Sequence, residues 1–245
     1  MTGRRLVLVS AFTALAFSIL CALGYWQVQR LAWKEQLIAA AETRATAPAV
    51  PLPPAAEWPS LDPEDYEYRS VSATGHFRHD REVHAYTTLS EPRGSSGGQG
   101  YWVLTPLDLQ DGSGSVVVNR GFVPDERKDP ATRQEGLVEG EVTVEGLMRA
   151  PQTGSWMLPD DDPQRNVWFT RDPEKIAAVE GLDGPVAPFT IDQVGPAPPG
   201  GLPQPGETRL QFENSHLGYA ITWFGLAAAL VAVYVALLRG HLRRN

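Results

Sequence analysis

The fold class of this chain is decided by the uncharged stretch LGYAITWFGLAAALVAVYVALL, which runs from Leu217 to Leu238. It is longer than the roughly 20 apolar residues that cross the hydrocarbon core of a bilayer. A second apolar run, LVLVSAFTALAFSILCALGYWQVQ, extends from Leu6 to Gln29. Aromatic residues cluster at one end of each run, which is typical of anchoring at one shared membrane interface. The sequence therefore predicts a membrane protein in which two transmembrane helices flank a central domain.

Charged residues predict on which side of the membrane the chain ends lie. All 29 acidic residues of the 245-residue chain fall between the two apolar runs. The chain ends hold five arginines and no acidic residue: Arg4, Arg5, Arg239, Arg243 and Arg244. Because basic residues favour the cytoplasmic side, we expect both termini in the cytoplasm and the central domain on the extracytoplasmic, or periplasmic, side. The central part has 29 acidic and 16 basic residues and a net charge of −13, which argues against nucleic acid as a partner.

The first apolar run admits a second interpretation, as a cleaved signal peptide. Arg4 and Arg5 precede it, and Ala22-Leu23-Gly24 resembles a cleavage site with small residues. The run is long for a signal peptide, however, and helical spacing continues from Trp26 to Leu37, which favours a retained helix. The lone cysteine, Cys21, lies within this run, so the central domain has no disulfide.

The central domain is predicted to be rich in β-strands. Short runs with many Val, Thr and aromatic residues begin at about Tyr68: YRSVSATGHF, EVHAYTT, YWVLTPL, SVVVNRGFV, EVTVEGLMR, NVWFT, PFTID and TRLQF. They predict antiparallel strands in a barrel- or sandwich-like α+β domain, and RHDR, Arg78–Arg81, predicts a hairpin turn between the first two. One short helix is expected, with Asp172 as N-cap, Pro173 at the first helical position and Gly181 as the stop.

The segment between the first apolar run and the strands has two parts. A helix is expected to continue to about Arg44, and the prolines between Ala47 and Pro59 predict an extended linker. The predicted segments are a cytoplasmic tail (1–5), transmembrane helix 1 (6–28), a helical extension and Pro-rich linker (29–66), the β-rich extracytoplasmic domain (67–213), transmembrane helix 2 (217–238) and a cytoplasmic tail (239–245).

Three short patterns in the central domain suggest chemistry, and each has a structural alternative. Gly94–Gly98, GSSGG, matches the G-x-S-x-G pattern of serine hydrolases, but no helix pattern follows it, so we expect a mobile loop. His76, His79 and His84 would suit zinc or copper, yet a hairpin at RHDR sends His76 and His84 to opposite faces. The acidic run Asp160–Asp162 predicts a solvated loop, with a hard-cation site as the alternative.

The stretch Asn119–Pro124, NRGFVP, follows an apolar run that predicts a buried strand. Gly121 permits a positive φ or a close approach of another backbone segment, and Pro124 ends the ladder of strand hydrogen bonds. Arg120 can pair with a carboxylate. The spacing favours a structural turn over a chemical site.

His216 lies at the start of the second apolar helix and is the strongest candidate for a ligand. Together with Tyr219 and Trp223 it occupies positions i, i+3 and i+7, so the three side chains share a helix face. A neutral imidazole there can coordinate haem iron, with the aromatic side chains beside the macrocycle. The alternative is an interfacial histidine that hydrogen-bonds to lipid headgroups or to Glu213.

Four blocks of this sequence together resemble the Surfeit locus protein 1 family of membrane-bound assembly factors for cytochrome c oxidase. The blocks occur in the family's order. They are LGYWQ with Arg30, Leu31, Trp33 and Lys34 (from Leu23); GHF (Gly75–Phe77); VVNRGFVP, PATR and VEGEV (Val117–Val142); and NSHLGYA with TWFGLA (Asn214–Ala227). Gly24, Trp26, Gly75, Asn119, Arg120, Gly121 and Pro124 stand in these blocks as structural motif residues.

The resemblance implies a non-enzymatic factor with two transmembrane helices and a domain on the outer side of the cell, or inner, membrane. It implies a role in maturing oxidase subunit I, around insertion of haem a, with haem a synthase and other assembly factors as further partners. It also makes His216 the expected haem ligand. In the hypothesis that follows from this role, Tyr219 and Trp223 are packing walls beside the haem. Arg30 or Arg209 would lie near the propionates. A cofactor-free scaffold that binds oxidase subunits is the alternative.

Overall fold

The computed structural model describes residues 3–156, 158–208 and 214–243, and the chain forms two compact units. The terminal unit comprises Met1–Ala40 and Leu210–Asn245, and the central unit comprises Ala41–Arg209. Within the described residues, the α-helices are α1 (Gly3–Thr46), α2 (Pro63–Tyr66), α3 (Pro173–Glu180) and α4 (His216–Leu242). The strands there are β1 (Val50–Pro51), β2 (Ser70–Phe77), β3 (Val83–Leu89), β4 (Gly98–Leu109), β5 (Ser115–Pro124), β6 (Glu141–Arg149) and β7 (Val186–Gln193).

The terminal unit is an antiparallel pair formed by α4 and the first part of α1. Near the N-terminus of α1, Ser10 hydrogen-bonds to Tyr234, which lies near the end of α4. Gln27 contacts His216, the first residue of α4. Both helices are long and apolar enough to cross a membrane, and most of their large apolar side chains are exposed, as lipid-facing side chains would be. The predicted helical extension is confirmed, because α1 continues without a break to Thr46.

The central unit contains a closed β-barrel. Of the two architectures that the sequence predicted, a barrel or a sandwich, the structure has the barrel. The strand order is β1-β2-β6-β7-β5-β4-β3, and an additional pairing of β2 with β4 closes the ring of β2, β6, β7, β5 and β4. At this closure Gly75 pairs with Leu109, and a Cβ atom on Gly75 would lie 2.1 Å from the carbonyl oxygen of Asp108. Gly75 therefore has a structural role, because any side chain would separate the two strands that close the barrel.

Two predictions about strand pairing are wrong. The sheet is mixed rather than antiparallel, because β5 pairs in parallel with β7 and β1 with β2. The segment RHDR is not a hairpin turn: His79–Arg81 form a 3-10 turn, and in the described sheet β2 and β3 pair with β4 instead of with each other. The reason is the length of β4, whose 12 residues accommodate β3 along the first part and β2 along the last.

Two predicted strands differ from the structure or lie outside it. NVWFT forms isolated β-bridges rather than a strand. Trp168 makes one such bridge, with Ala85, and its side chain is fully buried. The segment TRLQF begins at Thr208, which is not in a strand, and its other residues lie outside the described part of the chain.

The barrel core includes side chains from the predicted linker. Phe189 of β7 is fully buried and contacts Trp58, 6.1 Å away between ring centroids, and Tyr66, 5.6 Å away. Trp58 lies in a 3-10 turn of the Pro-rich segment, and its Nε1 donates to the carbonyl oxygen of Pro53 at 2.9 Å. Burial of one such aromatic side chain stabilises a fold by about 1.5–3 kcal/mol. The Pro-rich segment is thus part of the folded domain and not only a linker.

The prediction of one short helix that begins after Asp172 is confirmed by α3. The side chain of Asp172 accepts hydrogen bonds from the backbone N–H groups of Glu174 and Lys175, at 3.0 and 3.3 Å. Gly181 ends α3 in the left-handed region, at φ +63°. Ile176 is fully buried and packs into a second core cluster, so α3 is fixed to the barrel wall.

Candidate functional site

His216 begins helix α4, and its ring is held by a side chain of α1. Its Nδ1 lies 2.7 Å from Oε1 of Gln27. Gln27 is only 8% exposed. An amide carbonyl oxygen only accepts hydrogen bonds, so the neutral imidazole carries its proton on Nδ1. The lone pair then belongs to Nε2, which is the nitrogen that can coordinate a metal. The two helices therefore present a histidine in a tautomer suited to ligation.

Tyr219 and Trp223 lie one and two turns beyond His216 along α4. Tyr219 is 55% exposed and Trp223 is half-buried, whereas Ala220 between them is buried. The described structure thus leaves both aromatic side chains accessible from the side of the helix that carries His216. An accessible aromatic pair next to a histidine can pack against a flat ligand. Their role in cofactor binding stays a prediction.

The motif residues of α1 have different positions. Gly24 is buried, and a Cβ atom there would lie 2.8 Å from the ring of Phe224, so the missing side chain lets α4 approach. Trp26 is 53% exposed. The guanidinium of Arg30 stacks over Trp33 at 4.1 Å from the ring centroid. The other arginine expected near the propionates, Arg209, lies outside the described residues.

This donor set fits haem with one protein ligand. A proximal histidine with a hydrogen bond to its second nitrogen is a common mode of haem ligation. In residues 3–40 and 214–243, the other histidine is His241, about 37 Å further along α4 by helical rise. At this end of the helix pair, the described part of the terminal unit therefore offers one histidine, His216, as a candidate ligand.

In the central unit, Asn119 and Gly121 connect β5 to its neighbours. The Asn119 side chain donates to Oδ1 of Asp192 at 2.9 Å and accepts from the backbone N–H of Gly121 at 3.1 Å. Gly121 has φ +124°, and a Cβ atom there would lie 2.0 Å from the carbonyl oxygen of Gln204. The motif lies within β5 and not in a turn, which corrects the expectation, while Pro124 ends the strand as predicted. Its glycine is required by the close approach of a second backbone segment.

Asp192 is the centre of a buried polar network next to Asn119. Its carboxylate accepts from Arg149 at 2.8 Å, from Thr208 at 2.7 Å and from Arg171 at 3.4 Å. Burial alone would raise the pKa of Asp192, but the positive charges of Arg171 and Arg149 and the hydrogen bonds lower it. The network holds β5, β6 and β7 together around a carboxylate that is only 2% exposed, while its two arginine partners are partly buried.

Arg120 belongs to a second buried cluster, whose acid is Glu82. Nη1 of Arg120 lies 3.8 Å from Glu82 and 3.4 Å from Nδ1 of His79, and Nη2 donates to the carbonyl oxygen of Gly136. Its guanidinium also lies 4.8 Å from the ring centroid of Phe77, another motif residue. Burial lowers the pKa of Arg120 to about 10, although Glu82 opposes the change. The predicted carboxylate partner of Arg120 thus exists: it is Glu82, which lies between the 3-10 turn His79–Arg81 and the start of β3.

Glu82 itself is paired more closely with Arg133 and His84. Arg133 forms an ion pair and hydrogen bonds with the carboxylate, and Nε2 of His84 lies 2.8 Å from Oε1. Burial would raise the pKa of Glu82, but the hydrogen bonds from His84 and Arg133 lower it to about 2. Sequence reasoning missed Glu82, because nothing in the pattern EVHAYTT distinguishes a buried acid from an exposed one.

The histidine cluster does not assemble into a metal site. His76 is exposed, Nε2 of His79 lies 2.9 Å from the carbonyl oxygen of Val138, and His84 contacts Glu82. Across the residues that the structure describes, no three side chains of His, Cys, Asp or Glu are grouped as a metal site requires. The hairpin that the sequence argument used to separate His76 from His84 is not formed, so the three histidines are separated by their own contacts instead.

The remaining patterns also have structural roles. GSSGG precedes strand β4, which begins at Gly98, so the strand-to-helix elbow of a serine hydrolase is not formed there. The acidic run is not simply a solvated loop, because the Asp161 side chain is fully buried. It accepts from the backbone N–H of Phe169 at 2.6 Å and from Oγ1 of Thr170 at 2.7 Å, and it pairs with Lys175.

Comparison with known proteins agrees with this arrangement of helices and barrel. A profile of the SURF1 family matches residues 14–228. The chain is 39% identical over 216 residues to Surfeit locus protein 1 of Mus musculus, which covers 84% of this chain and 68% of the relative. It is 38% identical over 217 residues to Surfeit locus protein 1 of Homo sapiens, with 84% and 70% covered. A SURF1-like protein of Monosiga brevicollis is 35% identical over 226 residues, with 89% and 82% covered. The chain belongs to the SURF1 family, and this membership implies a role in cytochrome oxidase assembly.

Proposed function

We propose that the protein is a membrane-bound, non-enzymatic assembly factor that assists insertion of haem a into subunit I of cytochrome oxidase. Family membership supports the oxidase part of this proposal. The proposed role in haem a insertion rests on the geometry of His216. Its Nδ1 is hydrogen-bonded to Oε1 of Gln27 at 2.7 Å. Because Nε2 keeps its lone pair, His216 can bind iron without first breaking a contact.

A single histidine ligand suits a protein that holds haem for a limited time. When bound, haem a supplies an iron that accepts one imidazole nitrogen from the protein. His216 provides that nitrogen, while Tyr219 and Trp223 offer accessible aromatic surface beside it. If His216 were the only protein ligand, release of the haem to subunit I would require this chain to give up one iron–nitrogen bond. Haem a synthase as donor and other assembly factors as neighbours complete the proposed partners.

The membrane part of the proposal rests on α1 and α4. Both helices have uncharged stretches that match the bilayer core, and their apolar side chains are exposed along the terminal unit. Arginines at both chain ends support a cytoplasmic position of the termini, which leaves the barrel on the outer side of the cell, or inner, membrane. His216 would then lie at the outer interface, at the level where the lipid headgroups meet the hydrocarbon core.

The experiment is a visible absorption spectrum of the protein purified in detergent from cells that make haem a. The His216→Ala variant should lose the haem a bands, whereas the wild type retains them. His241→Ala is the matched control, because it removes a histidine from the opposite end of the same helix and should leave the bands unchanged. Equal haem content in wild type and His216→Ala would remove His216 as the ligand.

A cofactor-free scaffold is the second candidate, and one surface feature favours it. Trp156 is 92% exposed and Leu158 is 40% exposed, in the segment between β6 and α3. Large exposed aromatic side chains often serve as anchors in protein interfaces. A scaffold would be colourless and would still co-purify with subunit I. Trp156→Ala would then weaken co-purification, while His216→Ala would not.

A further inference from the structure

We infer that Gln27 is the positioning residue that selects the tautomer and orientation of His216. This inference rests on the proposed function of His216 as a haem ligand. Gln27 lies on α1 and His216 on α4, so the contact is made between helices and depends on their register. Gln27 is a polar residue within an apolar run, and the sequence alone assigns it no partner.

The chemistry of the contact is directional. Oε1 of Gln27 accepts a hydrogen bond from the N–H group of Nδ1, at 2.7 Å between the heavy atoms. Because Gln27 is only 8% exposed, water does not compete freely for this hydrogen bond. With the Gln27 amide oriented as in the structure, the opposite tautomer would place two lone pairs against each other, and it would form a hydrogen bond only if the amide turned over. Gln27 therefore favours the form of His216 in which Nε2 is unprotonated. A hydrogen bond to the second nitrogen also fixes the ring plane and raises the basicity of the ligating nitrogen.

A second hydrogen bond between the two helices belongs to the same register as the contact of Gln27 with His216. Ser10 hydrogen-bonds to Tyr234 at the opposite end of the pair. Ser10 and Gln27 are 17 residues apart on α1, and His216 and Tyr234 are 18 residues apart on α4. At 1.5 Å per residue these intervals are about 25 and 27 Å, so both hydrogen bonds belong to one register of two antiparallel helices. Between them, Gly24 allows the close approach of Phe224.

The first test does not need haem. The full-length protein, labelled with 15N in histidine and held in detergent micelles, reports the tautomer of His216 through the chemical shifts of its two ring nitrogens. The wild type should show a proton on Nδ1 and none on Nε2. Gln27→Leu should give a mixture of both tautomers, and Gln27→Glu should keep the wild-type form. An unchanged tautomer in Gln27→Leu would overturn the inference.

The second test measures haem a binding by titration of the same purified variants. Gln27→Leu should lower affinity by about 10–100-fold, the usual effect of losing such a partner of a metal-bound histidine. Gln27→Glu should retain the affinity and shift the haem midpoint potential to more negative values, because a carboxylate is a stronger acceptor. Ser10→Ala is the matched control: it removes the other interhelical hydrogen bond and should leave affinity unchanged.

The outcomes separate the inference from the proposed function. If His216→Ala binds haem a like the wild type, the proposed ligand is wrong. If His216→Ala loses binding but Gln27→Leu binds like the wild type, His216 remains the ligand and the positioning role of Gln27 is wrong. If Ser10→Ala weakens binding as much as Gln27→Leu, helix pairing in general is responsible and the specific role of Gln27 is overturned.

Discussion

Glu82 and Arg133 form an ion pair in which each side chain is only 2% exposed. Breaking a buried pair by removing one partner leaves an uncompensated charge, which costs about 3–5 kcal/mol. Here Arg120 shares the same carboxylate, so two cations depend on one acid. The barrel therefore contains a charged centre whose loss affects β3, β5 and the 3-10 segment that carries Arg133.

Replacement of this acid should destabilise the fold strongly. We expect Glu82→Ala to lower the free energy of unfolding by about 3–5 kcal/mol, measured by denaturant unfolding of the full-length protein in detergent with tryptophan fluorescence. Glu126→Ala, which removes an exposed acid, should change it by less than about 0.5 kcal/mol. Similar effects of the two substitutions would show that the buried pair does not stabilise the barrel.

The same carboxylate should make stability depend on acidic pH. The folded pKa of Glu82 is about 2 and the ordinary value is 4.5, so folding favours the ionised form. Its contribution, on the order of 3 kcal/mol, is fully present above pH 4.5 and is lost as pH falls towards 2. The measurement is the unfolding free energy from pH 6 down to about 2. Glu82→Gln should flatten the curve within that window, and an unchanged curve would contradict the assignment.

Substitution of Gly112 and of Gly121 by alanine distinguishes the cost of backbone strain from the cost of a steric clash. Both have positive φ, at +124° and +71°, but only a Cβ on Gly121 meets another atom, 2.0 Å away at Gln204. Gly112→Ala should cost about 1 kcal/mol through its backbone conformation alone. Gly121→Ala should cost at least about 2 kcal/mol more, because β5 and the segment at Gln204 must move apart. Equal losses in thermal unfolding would mean that this close approach is not tight.

Neighbouring aspartates provide a test of the acidic run. Asp161→Asn removes the charge that pairs with Lys175 and weakens the hydrogen bonds to Phe169 and Thr170, so we expect a loss of about 1–3 kcal/mol. Asp160→Asn changes an exposed residue and should have an effect below about 0.5 kcal/mol. The difference can be measured by thermal unfolding of both variants. If the order is reversed, Asp161 does not organise this loop.

Features with local causes could be predicted from the sequence. Helix α3 was predictable because Asp172, Pro173 and Gly181 each act within one turn of the helix ends. The apolar runs predicted both terminal helices for the same reason, since composition alone makes them helical and long. Pro124 ended β5 because it lacks a backbone N–H group.

Features that depend on distant partners could not be predicted. The pairing of β2 and β3 with β4 is set by barrel closure, which the short segment RHDR does not encode. Glu82, Asp161 and Gln27 are single polar residues whose roles arise only when remote groups surround them. His216 was identified by helical spacing and family resemblance. Its contact with Gln27, 189 positions away in the sequence, could not be predicted because it depends on the register of the two helices.

Trp58 changes where the central domain should be considered to begin. Its indole packs against Phe189 inside the barrel, although the sequence pattern assigns it to a proline-rich connection. A fragment excised at Tyr68, where the strand-like pattern starts, would expose the apolar end of the barrel to water and would be prone to aggregate. A soluble fragment for crystallisation or for binding studies should therefore start before Val50, so that the segment carrying Trp58 is retained.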